Sequence, residues 1–281
     1  MTGRFGKGYR KNTGSHPSGH ALLAAHKLEA LPPLAEPDLR PFDGAVLNQG
    51  QAGSCVGFAG AGQLALFLRA NMLTPDWALP SPRWGYAIGR LQQYAGQDPD
   101  ALPADALDDV GTEPAKYLLA LQRMGFVRWS DWEYPTDDAT LNDEAAMLAL
   151  VRQPPPPEVT LKAFAQKDLE YGLYEGTAAG RMAWIIDCLK HRLPVTFGHE
   201  VDDAYEANTG AIVHSIDVAN SLGGHDELIV AVNAAGNVIV KGSWTPDFGA
   251  AGYTEWSPAA IASSACSDFQ IVTGAAVPET T

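Results

Sequence analysis

Along the chain the spacing of apolar positions changes near residue 194, from a helical period to an alternating one. From Ser54 to about Met72 apolar residues recur at Phe58, Ala61, Ala65, Leu68 and Met72, which predicts a helix with one buried stripe. Gly57, Gly60 and Gly62 fall inside it, and each costs an isolated helix roughly 1 kcal/mol. Their presence predicts close packing against another backbone. A second helix opens with Thr112 as cap and Pro114 in its first turn, turns Tyr117, Leu118, Leu121 and Met124 inward, and stops at Gly125. A third runs from about Ala179 to His191 and ends before Pro194. Beyond it, segments 194–200, 227–233, 237–241, 252–256 and 269–274 are short, rich in β-branched and aromatic residues, and punctuated by Gly or Asn. The turn Ala234-Ala235-Gly236 joins two of them as a hairpin.

This order predicts an α+β protein with two unlike lobes. Residues 1–40 are polar, then briefly apolar, then Pro-rich, and read as an arm wrapped around a body; 41–160 form a mainly helical lobe and 161–281 a mainly β lobe. Pro154 to Pro157 read as a stiff polyproline connector between the lobes. No internal repeat is present.

Composition narrows the function. A 46% hydrophobic content supports a proper core, and Lys+Arg 19 against Asp+Glu 33 gives a net charge of -14, which argues against nucleic acid and anionic membrane as partners. The exception is Arg4, Lys7, Arg10 and Lys11, with no acidic residue before Glu29. That stretch reads as a solvated tail, with docking into a larger assembly as the alternative. No apolar run reaches the roughly 20 residues of a membrane span, and no signal peptide is seen, so a cytoplasmic or virion-associated setting is expected. Cys55, Cys188 and Cys266 cannot all pair, which suits a reducing compartment. Cys188 reads as core, and Cys266 precedes a strand without a nameable partner. The remaining histidines (His16, His20, His26, His191, His199 and His214) show no metal-ligand spacing, and the acidic run from His199 matches a strand and turn. No metal and no cofactor are expected; there is no phosphate loop either.

The candidate chemistry is nucleophilic. Cys55 enters the first helix from the Gly53-Ser54 turn, where a helix N-terminus favours a thiolate. Gln49, six residues earlier, brings an amide donor to the same point as the Cys55 N–H, as an oxyanion requires. The string NQGQAGSCVGFAGA from Asn48 resembles the active-site segment of the papain-like cysteine peptidases, with the Gln-to-Cys spacing kept; Ala52 and Val56 replace that family's first cysteine and its aromatic residue. Downstream, SLGGHDELIVAVN resembles the Gly-Gly-His segment and KGSWTPDFGAAGY the Asn-Ser-Trp-Gly segment. The intervening pieces are similar, in order, to the compact branch found in bacteria and their phages, so the resemblance covers about residues 40 to 274.

The resemblance implies a two-lobe papain-like fold, with a helical left lobe and an antiparallel, barrel-like right lobe. It implies a cysteine peptidase in which His225, preceding an apolar strand, acts as base for Cys55, and Trp244 covers the imidazole. Gly111 would present backbone to an extended peptide substrate, and Val195 and Asp226 would line the main specificity pocket. Asp226 stands where the family has a small apolar residue, so a basic side chain two positions before the scissile bond is one expectation; a solvent-facing Asp226 is the other. Gly242 occupies the position of the asparagine that orients the histidine. A water or a backbone carbonyl would then fill the space, and Gly242→Asn is expected to raise the rate. The rival reading is a weak or inactive binding protein on the same fold in a larger bacterial or phage assembly; a third is an acyl transferase that excludes water. Gly242 and the lack of a recognisable inhibitory pro-segment support the inactive reading, while residues 1–40 are long enough to cross the cleft as a self-inhibitor.

Overall fold

The computed structural model describes residues 6–29, 31–71, 79–97, 102–166 and 169–275. Arg4, Met72 and the chain after 275 lie outside the described residues. The helices are α1 (Gly19–Glu29), α2 (Cys55–Ala70), α3 (Pro82–Leu91), α4 (Pro114–Met124), α5 (Asp138–Leu141), α6 (Glu144–Val151), α7 (Pro157–Phe164), α8 (Arg181–Lys190), α9 (Asp203–Glu206) and α10 (Pro258–Ile261). The strands are β1 (Glu170–Leu173), β2 (Val195–Val201), β3 (Ile212–Val213), β4 (Gly223–Val232), β5 (Val238–Lys241), β6 (Tyr253–Trp256) and β7 (Cys266–Gly274). All seven belong to one sheet in the order β1-β7-β2-β4-β5-β6-β3, antiparallel except for the β3–β6 edge pair. The sheet is open and does not close into the barrel-like form expected.

Helix α2, which carries Cys55, departs from the single-stripe expectation. Every residue of it is buried except Gly62 and Arg69, because it lies between α3 and α4 on one side and β2, β4 and β7 on the other. Its glycines make that fit possible. A Cβ at Gly57 would stand 2.5 Å from the Pro82 carbonyl oxygen, and one at Gly60 2.1 Å from the Tyr117 ring.

Three further expectations need correction. The strand carrying His225 begins at Gly223, so the histidine lies inside the ladder, opposite His199 of β2, and not ahead of it. The proline run is not a free connector: Pro157 starts α7, with Pro156 as its cap, because proline suits the first turn of a helix. Finally, the basic arm is not a solvated tail where it is described. Gly6, Gly8 and Tyr9 are buried, and Lys7, its side chain 8% exposed, pairs with Glu206 at 2.8 Å. Burying the Tyr9 ring supplies on the order of 2 kcal/mol towards holding it there.

Candidate active site

Cys55 is the first residue of α2, so its N–H has no acceptor within the helix and sits at the positive end of the helix dipole. The loop before it is held from several sides. The Gly53 N–H donates to both oxygens of Asp109 at 3.1 and 2.9 Å, Ser54 Oγ meets Tyr134 Oη at 2.9 Å, and Tyr134 Oη donates to the Gln49 carbonyl at 2.7 Å. Gln49 is fixed at both ends. Ser243 Oγ donates to its Oε1 at 2.6 Å, and its Nε2 donates to the Ala52 carbonyl at 2.8 Å and the Gly6 carbonyl at 3.0 Å.

The Gly6 carbonyl is therefore a peptide carbonyl resting on the expected oxyanion donor, and Trp244 Nε1 donates to it as well, at 3.3 Å. From there the arm runs along the loop before α4. Thr112 N–H donates to the Gly8 carbonyl at 2.8 Å and Arg10 N–H to the Thr112 carbonyl at 3.0 Å, in parallel register. Thr112 thus makes the backbone pairing expected of Gly111. Gly111, at φ 73°, lets the chains close: a Cβ there would lie 2.0 Å from the Gly8 oxygen.

His225 is fully buried on β4. Its ring stacks on Trp244 with centroids 4.2 Å apart and planes at 29°. The two ring nitrogens have no hydrogen-bond partner, and the thiol of Cys55 makes no hydrogen bond to them. Burial pushes the Cys55 thiol up to about 12, with the Asp226 carboxylate adding to the shift, while hydrogen bonding to the backbone of Gly8, Asp226 and Val56 opposes it. Burial, then the charges of His199 and Lys7, hold the His225 imidazole well below its ordinary value.

At Gly242 a side chain, not a backbone carbonyl, stands nearest, and the residue also lines a cavity with Asp226, Glu227 and Ser243. A Cβ there would stand 2.9 Å from Glu227 Oε1, so the volume is taken by a side chain from the strand of His225 itself. Glu227 is buried and lies 3.7 Å, by Oε1, from His225 Nε2; His199 Nε2 reaches its Oε2 at 2.9 Å, and Tyr205 Oη donates to the same oxygen in a very short bond. Glu227, His199 and Tyr205 were not singled out from the sequence as site residues. The signal was the alternation itself, since residues two apart on a strand share a face.

Asp226, on the other face of β4, is 1% exposed, and its two carboxylate oxygens have no hydrogen-bond partner. The solvent-facing alternative is thereby removed. Burial, then Asp268 and Glu227, push its carboxyl well above the usual carboxylate range. Its cross-strand partner is Gly198, not Val195. Val195 pairs with Ile229 three residues away along β2, and side chains three apart on a strand point to opposite faces, so Val195 belongs to the core. The glycines Gly198 and Gly224 instead make a bare wall against which the Tyr9 ring lies, its hydroxyl bonding Asp268 and Ser267. Cys188 is buried on α8, and Cys266 Sγ donates to the Ala260 carbonyl at 3.4 Å. Among the described residues no three His, Cys, Asp or Glu side chains are grouped to hold a metal ion.

No family model matches the chain, and no curated protein sequence does. Solved structures do match. Xylellain, a cysteine protease from Xylella fastidiosa, superposes with a TM-score of 0.71 at 22% identity over 97% of both chains. The digestive procathepsin L 3 of Tenebrio molitor larval midgut gives 0.61 at 16% identity over 96% of this chain and 76% of its own. The bromelain protease from Ananas comosus gives 0.53 at 14% identity over 84% and 96%. At these identities the likeness speaks to architecture, and with the order of elements described above it establishes that this chain has the fold of the papain-like cysteine proteases.

Proposed function

We propose that this chain is a cysteine peptidase that hydrolyses peptide or protein substrates through a thioester on Cys55. The observation that carries the reading is a peptide carbonyl, that of Gly6, held on the Gln49 amide beside the nucleophile helix. In the reaction His225 takes the Cys55 proton as the sulfur attacks the scissile carbonyl, and Gln49 with the Cys55 N–H holds the oxyanion. The tetrahedral adduct collapses, the C–N bond breaks, and His225 passes the proton to the leaving amine. Water then attacks the thioester, releasing a carboxylate and the thiol. No cofactor enters this chemistry.

The arm restrains the enzyme in this reading. Productive substrate places the second residue before its scissile bond in the Asp226 pocket; in the arm it is Tyr9, three residues after Gly6, that lies there. The arm therefore runs opposite to substrate, which protects it from its own thiol. Once it leaves, Asp226 and Asp268 form an acidic pocket that favours a basic side chain. Cleavage of peptide libraries with Arg or Leu at that position tests this, and a clear Leu preference ends it.

A second reading is supported by Gly242 and by the burial that disfavours the charged forms of the Cys55 thiol and the His225 imidazole: a catalytically weak or inactive protein that binds within a larger bacterial or phage assembly. Labelling with an epoxide or vinyl-sulfone probe separates the two. In a Gly8→Ala chain, labelling confined to Cys55 and lost in His225→Ala supports the peptidase. Labelling indifferent to His225 favours the binding protein.

A further inference from the structure

We propose that Glu227 is the positioning residue for His225, taking from the histidine's own strand the role that position 242 has given up. Two substitutions make one geometric unit. Gly242 has no side chain, and the volume its Cβ would need is held by Glu227 Oε1, 2.9 Å away. That oxygen has no hydrogen-bond partner, is fully buried, and is 3.7 Å from His225 Nε2.

The other carboxylate oxygen is anchored. Tyr205 Oη donates to Oε2, and His199 Nε2 lies 2.9 Å from it. His199 is itself oriented, because its Nδ1 lies 2.8 Å from the Glu200 carbonyl, which can only accept, so Nδ1 carries a proton; the 2.9 Å contact of Nε2 with Oε2 then holds one further proton between nitrogen and carboxylate. With Oε2 tied down, the carboxylate rotates little and Oε1 faces the imidazole. A bare carboxylate oxygen accepts, so His225 carries its proton on Nε2 and leaves Nδ1 as the base for the thiol. Trp244 stacked on the ring face fixes the remaining tilt. When the proton of Cys55 moves to His225, Nε2–H draws in to Oε1 and the new imidazolium gains a charge-assisted bond that an asparagine amide does not supply. The arrangement is that of a Cys-His-Glu triad in which base and orienter are neighbours on one strand face.

The inference rests on the peptidase reading for its kinetic consequence only, so it is tested first by a measurement that needs no turnover. In full-length protein with ¹⁵N-labelled histidine, the His225 ring, assigned by loss of its signals in His225→Ala, is expected as the Nε2–H tautomer. Glu227→Ala is expected to give a mixture of tautomers, and the double variant Glu227→Ala with Gly242→Asn to restore Nε2–H. Glu227→Gln keeps the volume if the alanine variant does not fold; by removing the anion it is expected to lower the pH at which His225 takes its second proton. A wild-type Nδ1–H tautomer, an unchanged tautomer in Glu227→Ala, or an unchanged titration in Glu227→Gln overturns the proposal. In the Gly8→Ala background, Glu227→Ala is expected to reduce kcat about 100-fold with KM within about threefold. If the tautomer shifts as described while none of these proteins cleaves peptides, the peptidase reading fails and the positioning role stands.

Discussion

At position 242 a single missing side chain decides how the histidine beside it is treated. Read in sequence, Gly242 is a loss, and restoring asparagine promises a faster enzyme. In three dimensions the space nearest to it already holds a carboxylate oxygen, Glu227 Oε1. Gly242→Ala is expected to destabilise the fold by about 1–3 kcal/mol, since a Cβ meets Glu227 Oε1 at 2.9 Å; urea unfolding of the variant measures this. Gly242→Asn alone is expected to lower both stability and labelling of Cys55, reversing the sequence expectation. Cys55, Gln49 and His225 are the candidates that order and spacing single out within a long chain. Glu227 is not among them, because nothing in a linear motif shows that a carboxylate two residues past the histidine lies beside a glycine just beyond the end of the next strand.

At the scale of elements, the helical period found α2, α4 and α8 and the alternating period found β2, β4, β5, β6 and β7, each within a few residues. Short or weakly patterned pieces escaped: α1 and β1, which bind each other to the sheet edge, and the α5 to α7 series. Their stability comes from tertiary packing, which leaves little trace in local sequence. The arm was legible as a segment and as a candidate self-inhibitor, but not in which of its residues, Gly6 and Tyr9, meet Gln49 and the wall of Gly198 and Gly224. A Cβ at Gly8 would stand 1.6 Å from the Gly53 carbonyl oxygen, so Gly8→Ala is expected to lift the arm out of the cleft. Iodoacetamide should then modify Cys55 at least about tenfold faster at neutral pH, and the pKa read from the pH dependence of that rate should fall below the value of about 12 that burial imposes. An unaltered rate would mean that the arm does not gate the thiol.

For the molecule as a whole, Asp226 and His225 set opposite pH limits. The folded carboxyl of Asp226 is raised well above its unfolded value, so the native state retains a proton that the unfolded chain has lost. Its contribution is intact below about pH 3.9 and is lost as pH rises towards the folded pKa, at up to about 1.4 kcal/mol per unit. His225 is depressed, so stability is present above an unfolded value of about 6.5 and declines as pH falls through the folded pKa. Asp226→Asn is accordingly expected to raise Tm at about pH 8 and to lose most of that gain by about pH 4. Thermal melts at the two pH values check this; an equal gain at both contradicts the assignment.

The glycines at positions 6 and 8 are demanded by the walls they touch, since any larger residue collides with the loop before the nucleophile. Such residues surrender more freedom on ordering than any others, so the same pair that admits the stopper also keeps its grip shallow. The tether adds to its contacts: attached to the body by α1, it acts at an effective concentration in the millimolar range. A detached peptide of the same sequence would bind feebly, and a competitor of modest affinity suffices to unlatch the intact chain without any cut in its backbone.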